Sequence, residues 1–316
     1  MQKGLADVKP LSLAYFPLPL LAAPMGLGGL GLAWRQMATA DAGWVWAVGE
    51  VLMALTVLSW IVIVGLHAAR AVAHPGMLRD DWLHPFRGSF TGAVSIGLML
   101  VAATFIPYLP GVARALLIAA ILLHWAIGLA ILSRVLRGEG SAEILAPPLL
   151  IPLVGNIVAT IFCVPLGLGQ LGWMLFGIGG LLWLGVQPLL LGRIFAGPPP
   201  APVLRPALFI LLAPPAVGAL AIGALNGQGP FVWALYGFAA FTLALLLTAL
   251  RYMMAGGFNA GFWAFTFPLA AFSVSTTKIA PGWIGAVVLA LATVVIGTIT
   301  LRTAHLAWKG AFFRAP

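Results

Sequence analysis

Residues 257–276 read GFNAGFWAFTFPLAAFSVST. Phe262, Trp263, Phe265 and Phe267 crowd ahead of Pro268 inside a stretch long enough to cross a bilayer. A proline there removes a backbone hydrogen bond and is expected to bend the helix, while the aromatics supply bulk at the bend. Such bulk is either a plug or packing, and the rest of the chain decides which.

Of the 316 residues, 62% are apolar and only 7% charged, with a mean hydropathy of +1.09, which excludes a soluble globular domain. Apolar windows of roughly 20 residues, each enough for about 30 Å of hydrocarbon, recur along the chain. They predict ten spans at 14–34, 43–66, 88–107, 112–133, 145–165, 170–192, 204–225, 230–250, 259–277 and 282–304. Nothing alternates in the way that β-barrel strands do, so the fold class is all-α integral membrane. The short connectors leave no room for a soluble domain, and 1–316 reads as one transmembrane domain. The first apolar run, with Pro17, Pro19 and Pro24, is too long for a cleaved secretory signal. Cys163 is the only cysteine, which leaves no intrachain disulfide and no cysteine-based metal site, and its expected role is apolar filler.

Lys and Arg divide unevenly between the two sets of connectors. Thirteen fall on the side of the termini, among them Lys3, Lys9, Arg70, Arg134, Arg193 and Arg251, against Arg35, Arg114 and Lys278 on the other. The positive-inside rule then places both termini in the cytoplasm of a cell (inner) membrane. The formal charge of +9 reads as topology and attraction to membrane lipid, and nucleic acid is not an expected partner.

Prolines within the spans keep one parity. They fall at 17, 19 and 24 in the first, 147, 148, 152 and 165 in the fifth, 206, 214 and 215 in the seventh, and 268 in the ninth. The third span is a weaker case, flanked by Pro85 and Pro107, and the even spans are nearly free of proline. A hairpin of one broken and one straight helix therefore recurs five times. Broken backbone at membrane depth is tolerated only where protein or water satisfies it, so the broken helices belong at the centre around a lumen and the straight ones face lipid. Glycines such as Gly26, Gly28, Gly29 and Gly31 suit close helix approach.

Catalytic chemistry has little support. Gly26–Gly31 matches G-x-G-x-x-G but follows no strand and lies within a span. No metalloprotease, nucleophile-elbow or P-loop pattern occurs, so no enzyme, cofactor or metal is expected. His67, His74 and His84 with Asp80 and Asp81 read as a solvated polar loop. Glu50, the one acid within a span, and His124 beside Trp125 are candidates for proton coupling, weighed against structural roles. No acid follows Glu143, which argues against a cation pathway and for anions or neutral solutes.

FNAGFWAFTFPLAA at 258–271 resembles the ninth-helix signature of the tellurite-resistance and C4-dicarboxylate transporter (TehA-like) family, related to the slow-type anion channels. Support comes from 15–34, HPFRGSF at 84–90, IPLVGNIVA at 151–159, and Trp183 with Gln187 and Pro188. The resemblance implies five hairpins in a quasi-fivefold array, odd helices lining a pore inside a ring of even ones, and a homotrimer with one pore per subunit. It also implies that the pore is occluded by the phenylalanine before the ninth-helix proline, here Phe267. Trp263 then buttresses it, Phe262 and Phe265 pack, and three prolines in the first span depart from a simple copy. Anions are the expected solutes, passing Thr266, Ser273, Ser275, Thr276 and Asn156 at helices broken by Pro24, Pro152, Pro214 and Pro268. The competing functions are a proton-coupled dicarboxylate or oxyanion exporter, and a poreless scaffold reached through PPPAP at 198–202.

Overall fold

A computed structural model describes residues 11–39, 42–139 and 141–315. Lys3, Lys9, Asp7 and Asp41 lie outside the described residues. Every regular element among those described is helical. The α-helices are α1 (Ala23–Met37), α2 (Gly43–Ala73), α3 (Pro75–Leu83), α4 (Gly92–Phe105), α5 (Pro110–Leu136), α6 (Leu150–Cys163), α7 (Gly169–Ala196), α8 (Ala213–Asn226), α9 (Pro230–Thr248), α10 (Leu250–Met254), α11 (Thr266–Ile279) and α12 (Trp283–Trp308). Seven helical stretches among the described residues are long and apolar enough to cross a membrane.

Two kinds of element alternate. The segments α1, α4, α6, α8 and α11 hold 15, 14, 14, 14 and 14 residues, and each continues without a break from a 3₁₀ stretch. Those stretches are Leu18–Ala22, Gly88–Thr91, Pro147–Leu149, Pro202–Leu212 and Ala260–Phe265. At 2.0 Å and 1.5 Å of rise per residue, the composite over 260–279 reaches roughly 33 Å, about the thickness of the hydrocarbon core. The prolines thus mark a change of helix type where a kink within one helix was expected. Pro24, Pro152, Pro214, Pro215 and Pro268 all sit in the first turn of their α segment, at the point where backbone N–H groups still bond carbonyls of the preceding 3₁₀ stretch, as Ala23 N–H bonds Leu20 O and Thr266 N–H bonds Trp263 O.

The short segments are buried nearly all round; in α6 every residue but Ile161 is. The helices α2, α5, α7, α9 and α12 are exposed except for one stripe each. In α12 the stripe is Gly285, Leu289, Ala292, Ile296 and Ile299, spaced alternately four and three. Their outer faces carry Leu58, Leu129, Leu181, Phe241 and Leu291, an apolar exterior suited to lipid. The helices α1, α4, α6 and α8 each pack chiefly on the long helix that follows, and α11 packs on α12 and α1. Among the short segments α1 touches α4, α4 touches α6, α6 touches α8, α8 touches α11, and α11 returns to α1.

Glycines permit that return. A Cβ on Gly26 would overlap the Thr266 side chain, and one on Gly29 would sit 2.8 Å from Ala270 Cβ. The described ends of the chain also meet. Ser12 N–H donates to Phe313 O at 2.7 Å, and Phe16 stacks on Phe313 with ring centres 5.6 Å apart.

Two polar regions differ from expectation. The stretch around His67 and Asp81 is not a solvated loop: His67 is buried in the last turns of α2, and Asp81 is buried in α3. Asp81 pairs with Arg70 at 2.7 Å and with Arg87 at 2.9 Å, and Arg70 Nε donates to Ala14 O. Two guanidinium groups and one carboxylate thereby tie α2 and α3 to the chain's first 3₁₀ turn. Arg35, expected in an outer connector, is buried in the last turn of α1 and grips Glu50 of α2 at 2.7 and 2.9 Å. It also donates to the carbonyls of Ala103 and Thr104 at the end of α4.

Candidate functional site

All five 3₁₀-to-α junctions face one internal cavity of about 40 Å³, room for about one water and too little for a hydrated anion. The first junction contributes Ala22 and Met25, the second Phe90 and Ile96, the third Leu150 and Val154. The fourth gives Ile210 and Pro214, and the fifth Trp263, Phe267 and Pro268. Its wall is almost wholly apolar, and a cavity without polar partners stays dry.

The turn-type change at Phe265–Thr266 explains how the aromatics divide. Trp263, in the 3₁₀ stretch, and Phe267, in the first α turn, reach the same wall. Trp263 is fixed from behind, its Nε1–H donating to Thr303 Oγ1 of α12 at 3.0 Å. Phe265 turns away and stacks on Phe209 with centres 4.4 Å apart, and Phe262 stacks on Phe265 at 5.6 Å. Asn259 caps the stretch by accepting from Gly261 N–H. Phe267 itself is buried, and a Cβ added at Gly29 of α1 would lie 3.5 Å from its ring.

The other sequence-predicted residues are placed as follows. Pro214 and Pro268 stand in the cavity wall, while Pro24 faces Gly97 of α4 and Pro152 packs against Gly92. Thr266 donates to Trp263 O and fills the seam opposite Gly26. Ser275 donates to Ala216 O, and Thr276 donates to Phe272 O and accepts from Tyr236 Oη. Ser273 is buried with its hydroxyl unpartnered. Asn156 lies outside this cavity: its Oδ1 accepts from Trp125 Nε1 and its Nδ2 donates to Leu153 O. With His124 and Pro152 it lines a separate groove of about 230 Å³ between α5 and α7. These two bonds, one to α5 and one to its own helix, hold the amide at this groove, and it is not in the wall of the central cavity.

Neither coupling candidate reaches the cavity. Glu50 is held by Arg35 at the end of α1. His124 is buried behind Gly155, with Nδ1 2.8 Å from Ser95 Oγ. Composition could not reveal the Arg35–Glu50 and Ser95–His124 contacts, because each joins two helices whose relative rotation is unspecified by hydropathy. Among the described residues no cluster of His, Cys, Asp and Glu suits a metal ion.

Comparison with known proteins adds a family. The model for SLAC1, voltage-dependent anion channel, matches residues 15–305. The chain is 28% identical over 308 residues to the tellurite resistance protein TehA homolog of Haemophilus influenzae, covering 94% of this chain and 93% of that one. It is 24% identical over 299 residues to the S-type anion channel SLAH2 of Arabidopsis thaliana, covering 90% of this chain and 57% of the plant protein. It therefore spans little more than half of that relative's length.

Proposed function

The chain belongs to the SLAC1 family of voltage-dependent anion channels, and from that membership we propose that it passes small inorganic or carboxylate anions through a central pore closed by Phe267. It is a multi-pass membrane protein of an anion channel and transporter family. In this reading the five short segments are pore-lining spans, each forming a hairpin with the long helix after it, in a quasi-fivefold array that makes 1–316 a single transmembrane domain. The cycle of contacts from α1 through α11 supports it. Membership and the positive-inside count likewise support a cell-membrane protein with cytoplasmic termini, in contact with lipid and assembled as a homotrimer.

One observation carries the gate: Phe267 stands in the wall of the cavity that all five junctions share. An ion entering an unassisted apolar space faces tens of kcal/mol of desolvation. The first N–H of each α segment bonds a 3₁₀ carbonyl, as Thr266 N–H does Trp263 O, so the preference for anions rests on the family membership. With no fixed charge in the wall, binding is weak and selection follows ease of dehydration, so nitrate and iodide pass more readily than chloride. A dry apolar constriction also blocks conduction by dewetting. Phe267→Ala is expected to raise anion current at least roughly tenfold in reconstituted bilayers, the equivalent of about 1.4 kcal/mol off the barrier. Unchanged current at normal surface expression removes the gate assignment.

A proton-coupled exporter of dicarboxylate or of an oxyanion such as tellurite is the second reading, of which the relative's name touches only tellurite resistance. Glu50 or His124 would then carry the proton. Reversal potentials that follow the pH gradient select the exporter, and potentials that follow the anion gradient alone select the channel.

A further inference from the structure

A second cavity, of about 490 Å³, opens between the approaches to the second and third junctions, the C-terminal end of α7 and the 3₁₀ stretch Pro202–Leu212. That volume lies in the range of small-molecule sites. Pro147, Ala207 and Leu208 are in its wall, whereas Leu150 and Ile210, two or three residues further along the same two stretches, are in the wall of the central cavity. At 2.0 Å of rise per residue the two spaces are separated by only about 6 Å along those stretches.

Its polar groups are few and available. Arg193, at the end of α7, folds over Gly197 and has no ion-pair partner among the described residues. His84 Nδ1 accepts from the backbone N–H groups of Phe86 and Arg87 at 3.1 and 3.2 Å, so the neutral ring carries its proton on Nε2. Burial, and then the Arg87 charge, lower the ring's proton affinity and favour that neutral form. Glu143 is the one carboxylate in the wall, also without an ion pair among the described residues, and its charge acts on His84. Phe86, Leu145, Pro199 and Leu204 supply apolar surface.

We propose that this cavity is a loading site for an organic monoanion with an apolar body, its carboxylate held by Arg193 and by the Nε2–H of His84. Two donors suit one carboxylate. Apolar walls reward a body that an inorganic anion lacks, and the Glu143 charge disfavours a second negative group on the ligand. The word loading rests on the pore reading; the binding does not.

Benzoate is the probe, titrated calorimetrically into the full chain in nanodiscs of zwitterionic lipid, with succinate as comparison. Saturable benzoate binding is expected, with succinate weaker. Arg193→Gln weakens benzoate by roughly tenfold, and Glu143→Gln tightens it by about threefold, as loss of a partner charge and of a like charge require. Binding that neither substitution alters, succinate binding as tightly, or no saturation overturns the proposal. If Arg193→Gln does not fold, the sign of the Glu143→Gln change decides alone. Absence of benzoate binding while Phe267→Ala still raises current removes this site and leaves the pore; the reverse result removes the pore and leaves the site.

Discussion

Arg35 makes four hydrogen bonds where almost no water reaches, two to Glu50 and two to the last carbonyls of α4. The pair is unequal, because the Arg35 side chain is 6% exposed and that of Glu50 28%. Removing Glu50 strands a guanidinium in a dry place, whereas removing Arg35 leaves a carboxylate that water can still solvate. Glu50→Gln is expected to cost about 1–3 kcal/mol, read as a lowered unfolding temperature in detergent. Adding Arg35→Met should recover part of that loss, and a double variant worse than Glu50→Gln alone rules the account out. Under the channel reading the pH independence of the reversal potential survives Glu50→Gln. At this scale the sequence was uneven. The aromatic run before Pro268 is local and visible in the sequence, but only the family resemblance picks Phe267 out of it, and Asn156 could not be aimed because its contacts depend on Trp125, 31 residues away.

Five changes from 3₁₀ to α geometry give the molecule its central space, and each has its prolines or glycines in the first α turn. A proline in a helix interior typically costs about 3 kcal/mol, whereas Pro268 stands where the 3₁₀ pattern gives way to α, so the bond it forgoes falls at the change of turn type and not within a regular α ladder. Pro268→Ala should therefore shift stability by less than about 1 kcal/mol, measured by thermal unfolding. A large gain on substitution would mean that the proline distorts a continuous helix after all. The seam between α1 and α11 is less forgiving. Gly26→Val places methyl groups in the space of Thr266, and overpacking of this kind typically costs about 1–3 kcal/mol. Its effect should be seen as reduced thermal stability, relieved by Thr266→Ala. Proline parity made the alternation of broken and straight helices legible. The type of break was not, since proline forbids an interior α bond equally at a kink and at a 3₁₀ junction.

The whole molecule closes on itself, each short segment touching the next and α11 touching α1. Hydropathy reached the all-helical class and proline parity the alternation, and both stopped at rotation and register, which packing alone sets. Topology can be tested directly because Cys163 is buried and single. In a Cys163→Ala background, a cysteine replacing Gly138 should react only from the cytoplasmic side and one replacing Gln228 only from the other. Labelling of both from one side removes the inside-out alternation. The backbone contact between Ser12 and Phe313 has a further outcome. A short peptide linker fusing those neighbours, with new ends cut near Gly138, would yield a circular permutant synthesised in another order and folded alike. Synthesis then begins at a different helix, and the cycle of contacts from α1 through α11 is expected to close as before.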